Sequence, residues 1–199
     1  MADDKDGREK QARDADDRQV RRDIAAELER GDEPEPQIDA ADLDGVEAEL
    51  ESLSFPATGA EIIAAIGDRD IGPSAERYTV EQLVPQTDES LFDSPARVRA
   101  RIQRPTVAVA MKRIVEASKA LPNETLGGSQ HDAYEKTLLE LQRISPDDDD
   151  EAIGVIRDWV VDRIRDKEKL PTSRQIRRQA AKVCRQNGLR IRDDDWLGI

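Results

Sequence analysis

Apolar positions along this 199-residue chain recur mostly at the three- and four-residue steps of an α-helix, and the breaks between runs carry Pro, Gly or a capping side chain. Over the first 37 residues the pattern is thin. Val20, Ile24 and Leu28 step by four, enough for a short helix but not for a core. The segment closes on GDEPEPQ, whose alternating Pro and acid favour an extended, solvated chain, so residues 1–37 read as a charged tail, disordered or loosely helical.

Leu43, Val46, Leu50 and Leu53 then predict a first helix over about residues 40–52. Thr58, with Glu61 three residues on, is a capping-box pattern opening a second helix that Gly67 ends. Thr79 with Gln82 opens a short helix that Pro85 stops. Between these two, Gly72-Pro73 flanked by single apolar residues allows a small hairpin of two short strands near residues 69–80. Ser94 as N-cap and Pro95 at the first helical position start another helix, which Pro105 limits.

From there the apolar stripes lengthen. Thr106 is the expected cap of a helix whose buried face is Val107, Met111, Ile114 and Val115. Tyr134, Leu138, Leu141 and Ile144 mark the next helix, and Ile153, Ile156, Val160 and Ile164, with Trp159 beside them, the one after. The last runs from Ser173 to about Gln186, ended by Asn187-Gly188, and Trp196, Leu197 and Ile199 are available to pack back. The expected fold is mainly α: a small capped-helix module over residues 38–104 and a four-helix bundle over 105–199, with no repeat and either a boundary near Arg104-Pro105 or packing shared across it.

Composition sharpens this picture. Aromatics are 3% of residues and apolar residues 37%, so the core must rest on Ile, Leu, Val and Ala. There are 26 Asp and 18 Glu against 23 Arg and 8 Lys, for a net charge of −13. Such an acid-rich, Lys-poor surface stays hydrated and self-repelling. It is similar in style to the proteins of salt-loving archaea, in which charge reflects the cell rather than a partner. The single cysteine, Cys184, can form no internal disulfide; the chain opens Met-Ala-Asp-Asp rather than with a basic and apolar leader. Apolar runs fall far short of the roughly 20 residues that cross a bilayer. The expectation is a cytoplasmic protein with no membrane partner.

Candidate chemistry is sparse. His131, the only histidine, stands beside Asp132 at a helix start and is expected to be solvated. Cys184 has basic neighbours in Lys182 and Arg185 but falls on the apolar side of its helix, where a small buried residue is expected. No His/Cys cluster suits zinc, and Gly127-Gly128 is a turn rather than a phosphate loop. SPDDDDE, residues 145–151, lacks the alternation and Gly of a calcium loop, and its acids suit the first turn of a helix. The chain is therefore expected to be non-enzymatic, with no catalytic residues, metal, cofactor or small-molecule substrate.

Two stretches carry resemblances. Phe55-Pro56-Ala57, a helix, and a closing Phe92-Asp93-Ser94-Pro95 helix, over about Leu53 to Ile102, are similar to small uncharacterised domains common in haloarchaea and some other prokaryotes. That family lends no activity. WVVDRIRDKEKLPTSRQIRRQAA, from Trp159, resembles the first two helices of a winged helix-turn-helix DNA-binding domain, with Leu170, Pro171, Thr172, Ile176 and Ala180 at the patterned positions. The family then turns into a recognition helix, whereas AAKVCRQNG reads as unbroken helix here.

The charge is segregated. Residues 94–115 hold Arg97, Arg99, Arg101, Arg104, Lys112 and Arg113 with no acid, a charge of +6. Residues 169–192 hold Lys169, Arg174, Arg177, Arg178, Lys182, Arg185, Arg190 and Arg192, a charge of +8, which leaves −27 on the remainder. With Arg174 at zero on a helical wheel, Arg178, Lys182 and Arg185 fall at roughly 40°, 80° and 20°, opposite Ile176, Ala180, Val183 and Cys184 at roughly 180–280°. Arg174, Arg178, Lys182 and Arg185 are candidate phosphate contacts, flanked by Arg177, Arg190 and Arg192. The function this predicts is that of an accessory or regulatory protein bound to DNA or RNA. Two alternatives use the same face: docking of a protein partner by an interaction adaptor, or internal salt bridges to the chain's own acids.

Overall fold

We describe the protein from a computed structural model covering residues 35–43, 45–73, 77–88, 92–144 and 149–188. The expected helix around Val20, Ile24 and Leu28, the apolar residues Trp196, Leu197 and Ile199, and Arg190 and Arg192 lie outside the described residues.

The first apolar run does not make one helix. A 3₁₀ turn at Ala40–Leu43 is followed by α1, Val46–Glu51, and between them Gly45 takes φ 92°, a left-handed conformation that interrupts a regular helix. Glycine fits there because it has no Cβ to clash. α2, Gly59–Ile66, carries the expected capping box: Glu61 N donates to Thr58 Oγ1 at 3.1 Å and Thr58 N donates to Glu61 Oε2 at 2.8 Å. The Thr58 N bond, joined by one from Thr58 Oγ1 to Glu61 Oε2 at 2.9 Å, holds the Glu61 carboxyl below its usual range. A two-stranded antiparallel hairpin follows, β1 (Asp70–Ile71) against β2 (Tyr78–Thr79), with Asp70 opposite Thr79 and Ile71 opposite Tyr78. It leads into α3, Val80–Leu83, whose entry is marked by Thr79 N donating to Gln82 Oε1 at 3.0 Å.

Ser94 and Pro95 start α4, Pro95–Ile102, as the sequence implies. Pro105 then stands at the first position of α5, Pro105–Ser118, rather than merely closing α4. Thr106 is not its cap. The side chain of Gln37 takes that role across the fold: Thr106 N donates to Gln37 Oε1 at 3.3 Å, and Gln37 Nε2 donates to Thr106 Oγ1 at 2.9 Å. Three long helices complete the chain, α6 (Gly128–Ile144), α7 (Asp149–Lys167) and α8 (Ser173–Gln186).

Two apolar clusters result, and α5 belongs to both. Ile38, Leu43, Leu50, Ile62, Leu83, Phe92 and Val98 pack with Ala108 on one side of it. On the other side Val107, Met111 and Ile114 pack with the stripes of α6, α7 and α8, including Tyr134, Leu138, Ile156, Val160 and Ile176. The module is tied to α5 by polar bonds as well. Lys112 Nζ donates to Glu81 O at 2.6 Å and to Val84 O at 3.0 Å, satisfying carbonyls at the end of α3, and Lys119 Nζ donates to Gln86 O. Ala57 and Phe92 exchange backbone hydrogen bonds of 2.9 and 3.3 Å, so the Phe-Pro-Ala and Phe-Asp-Ser-Pro segments meet directly. Among the described residues no helix is long and apolar enough to cross a membrane.

Candidate functional site

The approach to α8 is fixed before the helix begins. Leu170 N donates to Glu124 Oε2 at 2.8 Å, and the Pro171 carbonyl accepts from Gln130 Nε2 at 2.8 Å and from the Tyr134 hydroxyl. Burial pushes the Tyr134 phenol up to about 12, so the hydroxyl stays a donor at neutral pH. Thr172 and Gln175 then form a capping box, with Gln175 N donating to Thr172 Oγ1 at 3.3 Å and Thr172 N to Gln175 Oε1 at 2.9 Å. Together these bonds set the rotation of α8 about its own axis.

That rotation buries Ile176, Ala180, Ala181, Val183 and Cys184 against α6 and α7. Cys184 is the buried small residue expected, and burial pushes its thiol up, away from the reactive thiolate. On the other side Arg174, Arg178, Lys182 and Arg185 are all exposed. α8 has no acid of its own, and among the described residues none of these four cations forms an ion pair. Arg177 is half-buried, and its Nε donates to Ser173 O at 3.2 Å, turning it back along the helix.

The other basic island has the opposite fate. Arg101 and Arg104 are buried; Arg97, Arg99 and Lys112 are half-buried; only Arg113 is exposed. Arg99 Nε lies 3.1 Å from Glu47 Oε1, and Lys112 Nζ lies 3.1 Å from Glu116 Oε1. Arg101 reaches furthest inward: its Nε is 2.9 Å from Glu135 Oε1, its Nη2 3.0 Å from His131 Nε2, and its guanidinium 5.8 Å from the Phe92 ring centroid. A guanidinium only donates, so in this contact His131 accepts through Nε2. Burial pushes the Glu135 carboxyl up, but the Arg101 guanidinium, with Arg97 behind it, outweighs it and holds it below its usual range.

His131 is therefore not the solvated residue the sequence suggested; it is 3% exposed. The missed signal is its spacing, since His131 shares one stripe of α6 with Tyr134 and Leu138. His131, Asp132 and Glu135 bring donor atoms within 4.8 Å of one another. A divalent ion would nonetheless compete with Arg101, which already supplies the cluster's cation, and would require His131 to give up that bond. The cluster joins α4 to α6 as a structural contact.

What the fold and this surface define is a helical protein of two cores, one of them presenting a cationic helix. Residues 41–113 match a family of unknown function (DUF5789). The match is wider than the resemblance over Leu53 to Ile102, because it takes in α1 and much of α5, whose Ala108 completes the first core. α8 lies outside it. No curated protein and no solved structure matches the chain.

Proposed function

We propose that the protein is a non-enzymatic, nucleic-acid-associated accessory or regulatory factor that binds phosphates through Arg174, Arg178, Lys182 and Arg185. One observation carries the reading: of the two acid-free islands in the sequence, the first is turned inward except at Arg113, with Arg99, Arg101 and Lys112 paired to acids, while α8 keeps its cations outward with no acidic partner among the described residues. An exposed guanidinium row on a helix fixed by its packing is preorganised for phosphate oxygens. The acid-rich, Lys-poor composition supports a cell interior rich in salt, as in halophilic archaea. There the Debye length of about 3 Å at 1 M demands several close contacts rather than long-range attraction.

Fluorescence anisotropy with labelled DNA and RNA over a KCl series tests this. The wild-type chain is expected to bind, and the R174Q/R178Q/K182Q/R185Q variant, with an unchanged circular dichroism spectrum, to lose binding. If wild type and variant bind equally, or neither binds, the reading is lost. Capture of a protein through the same face after nuclease treatment would replace it with an adaptor role.

A further inference from the structure

Resting on that reading, we infer that the ligand of α8 is the phosphate backbone of duplex DNA, gripped along its outer edge without reading of bases. The first ground is how α8 is held. Five of its residues, Ile176, Ala180, Ala181, Val183 and Cys184, are buried against α6 and α7, so one face alone reaches solvent. A helix held in this way meets DNA through that face alone, and the face is a row of four cations suited to phosphate oxygens. No third helix follows α8 among the described residues to read a groove in its place.

The second ground is spacing. Arg174, Arg178, Lys182 and Arg185 rise along the axis by about 6, 6 and 4.5 Å at 1.5 Å per residue. They form a row roughly 16 Å long on one face, and a duplex carries a phosphate about every 1.7 Å of its axis counting both strands, so each cation can find one as the strands wind past. A rigid row suits a rigid array. A single strand would have to be straightened to meet it, and single-strand binding depends on aromatic platforms for the bases. α8 contains no Phe, Tyr or Trp. Trp159 is half-buried on α7, with the Arg163 guanidinium 5.6 Å over its ring.

The third ground is the chemistry of the face. Its cations donate and do not accept, which matches phosphate oxygens. Of the exposed amides near them, Gln175 is already committed to the capping box and Gln186 and Asn187 stand at the far end of the helix. Proteins that choose duplex RNA use the 2′-hydroxyl, a donor and acceptor at once, across a shallow minor groove. The four cations have no acceptor to return to it.

Four probes of equal length decide the matter by anisotropy with the full chain: two DNA duplexes of unrelated sequence, oligothymidylate, and an RNA duplex. The DNA duplexes are expected to bind alike and more tightly than the other two. Their affinity should fall with a log–log salt slope of about −3.6, roughly 150-fold between 50 and 200 mM KCl, as four neutralised phosphates require. R178Q should bring the slope to about −2.7. Tighter binding of oligothymidylate or of the RNA duplex, a difference above about tenfold between the DNA duplexes, or an unchanged slope in R178Q overturns this inference while leaving nucleic-acid binding standing. Failure of all four probes to bind overturns the proposed function itself.

Discussion

Arg101 is the residue in which the two halves of the protein meet. It is 4% exposed, sits on α4 beside the Phe92 ring, and finds its counter-ion, Glu135, and its imidazole partner, His131, on α6. A buried guanidinium left without its carboxylate is costly, because its desolvation is no longer offset. Glu135→Gln should therefore lower stability at neutral pH by about 2 kcal/mol, the range of a hydrogen bond to a charged group. The acid dependence follows from the sign of the shift. The fold holds Glu135 below the ordinary value of 4.5, so its contribution is complete above that pH and is lost as pH falls through the lower value in the folded state. Denaturant melts of wild type and Glu135→Gln should run apart at pH 7 and converge in acid; a constant gap across pH would show that the pair is not the source.

At the scale of elements, the helix starts were the most legible feature, because each is written locally. Thr58 with Glu61, Thr79 with Gln82, Ser94 with Pro95 and Thr172 with Gln175 all mark the expected starts. The buried stripe of α7 through Ile153, Ile156, Val160 and Ile164 was equally plain. What the local pattern could not carry was long-range. Gln37 caps α5 from 69 residues away, and no spacing rule reaches that far. Arg101 shares a face with Val98, yet only the arrival of α6 shows that its charge has a buried partner. The cationic face of α8 was legible from the helical wheel; its exposure depended on whether other elements would cover it. Its orientation rests on the capping box, so Thr172→Ala should cost about 1 kcal/mol. Amide exchange should quicken in the first turn of α8 while α5 keeps its protection. Uniform quickening would mean that the cap stabilises the bundle rather than placing the helix.

For the whole molecule, salt acts in two opposed directions. The chain carries −13, and outside its two basic islands −27, so at low ionic strength its acids repel one another in the compact state more than in an unfolded, expanded one. Exposed pairs such as Arg69 with Glu49 and Arg77 with Asp70 work the other way, but such pairs contribute at most about 1 kcal/mol each and are themselves screened. Repulsion among the acids is the larger quantity. Between 0.01 and 1 M salt the Debye length falls from about 30 to 3 Å, and the melting temperature should rise with KCl by several degrees. Over the same range DNA affinity should fall, since each phosphate contact releases counterions that concentrated salt no longer draws away. The two trends have different sources and should separate by variant: R174Q/R178Q/K182Q/R185Q would flatten the binding curve and leave the rise in melting temperature in place. A melting temperature that drops as KCl is added would mean that the ion pairs, not the excess of acid, govern the stability of this fold.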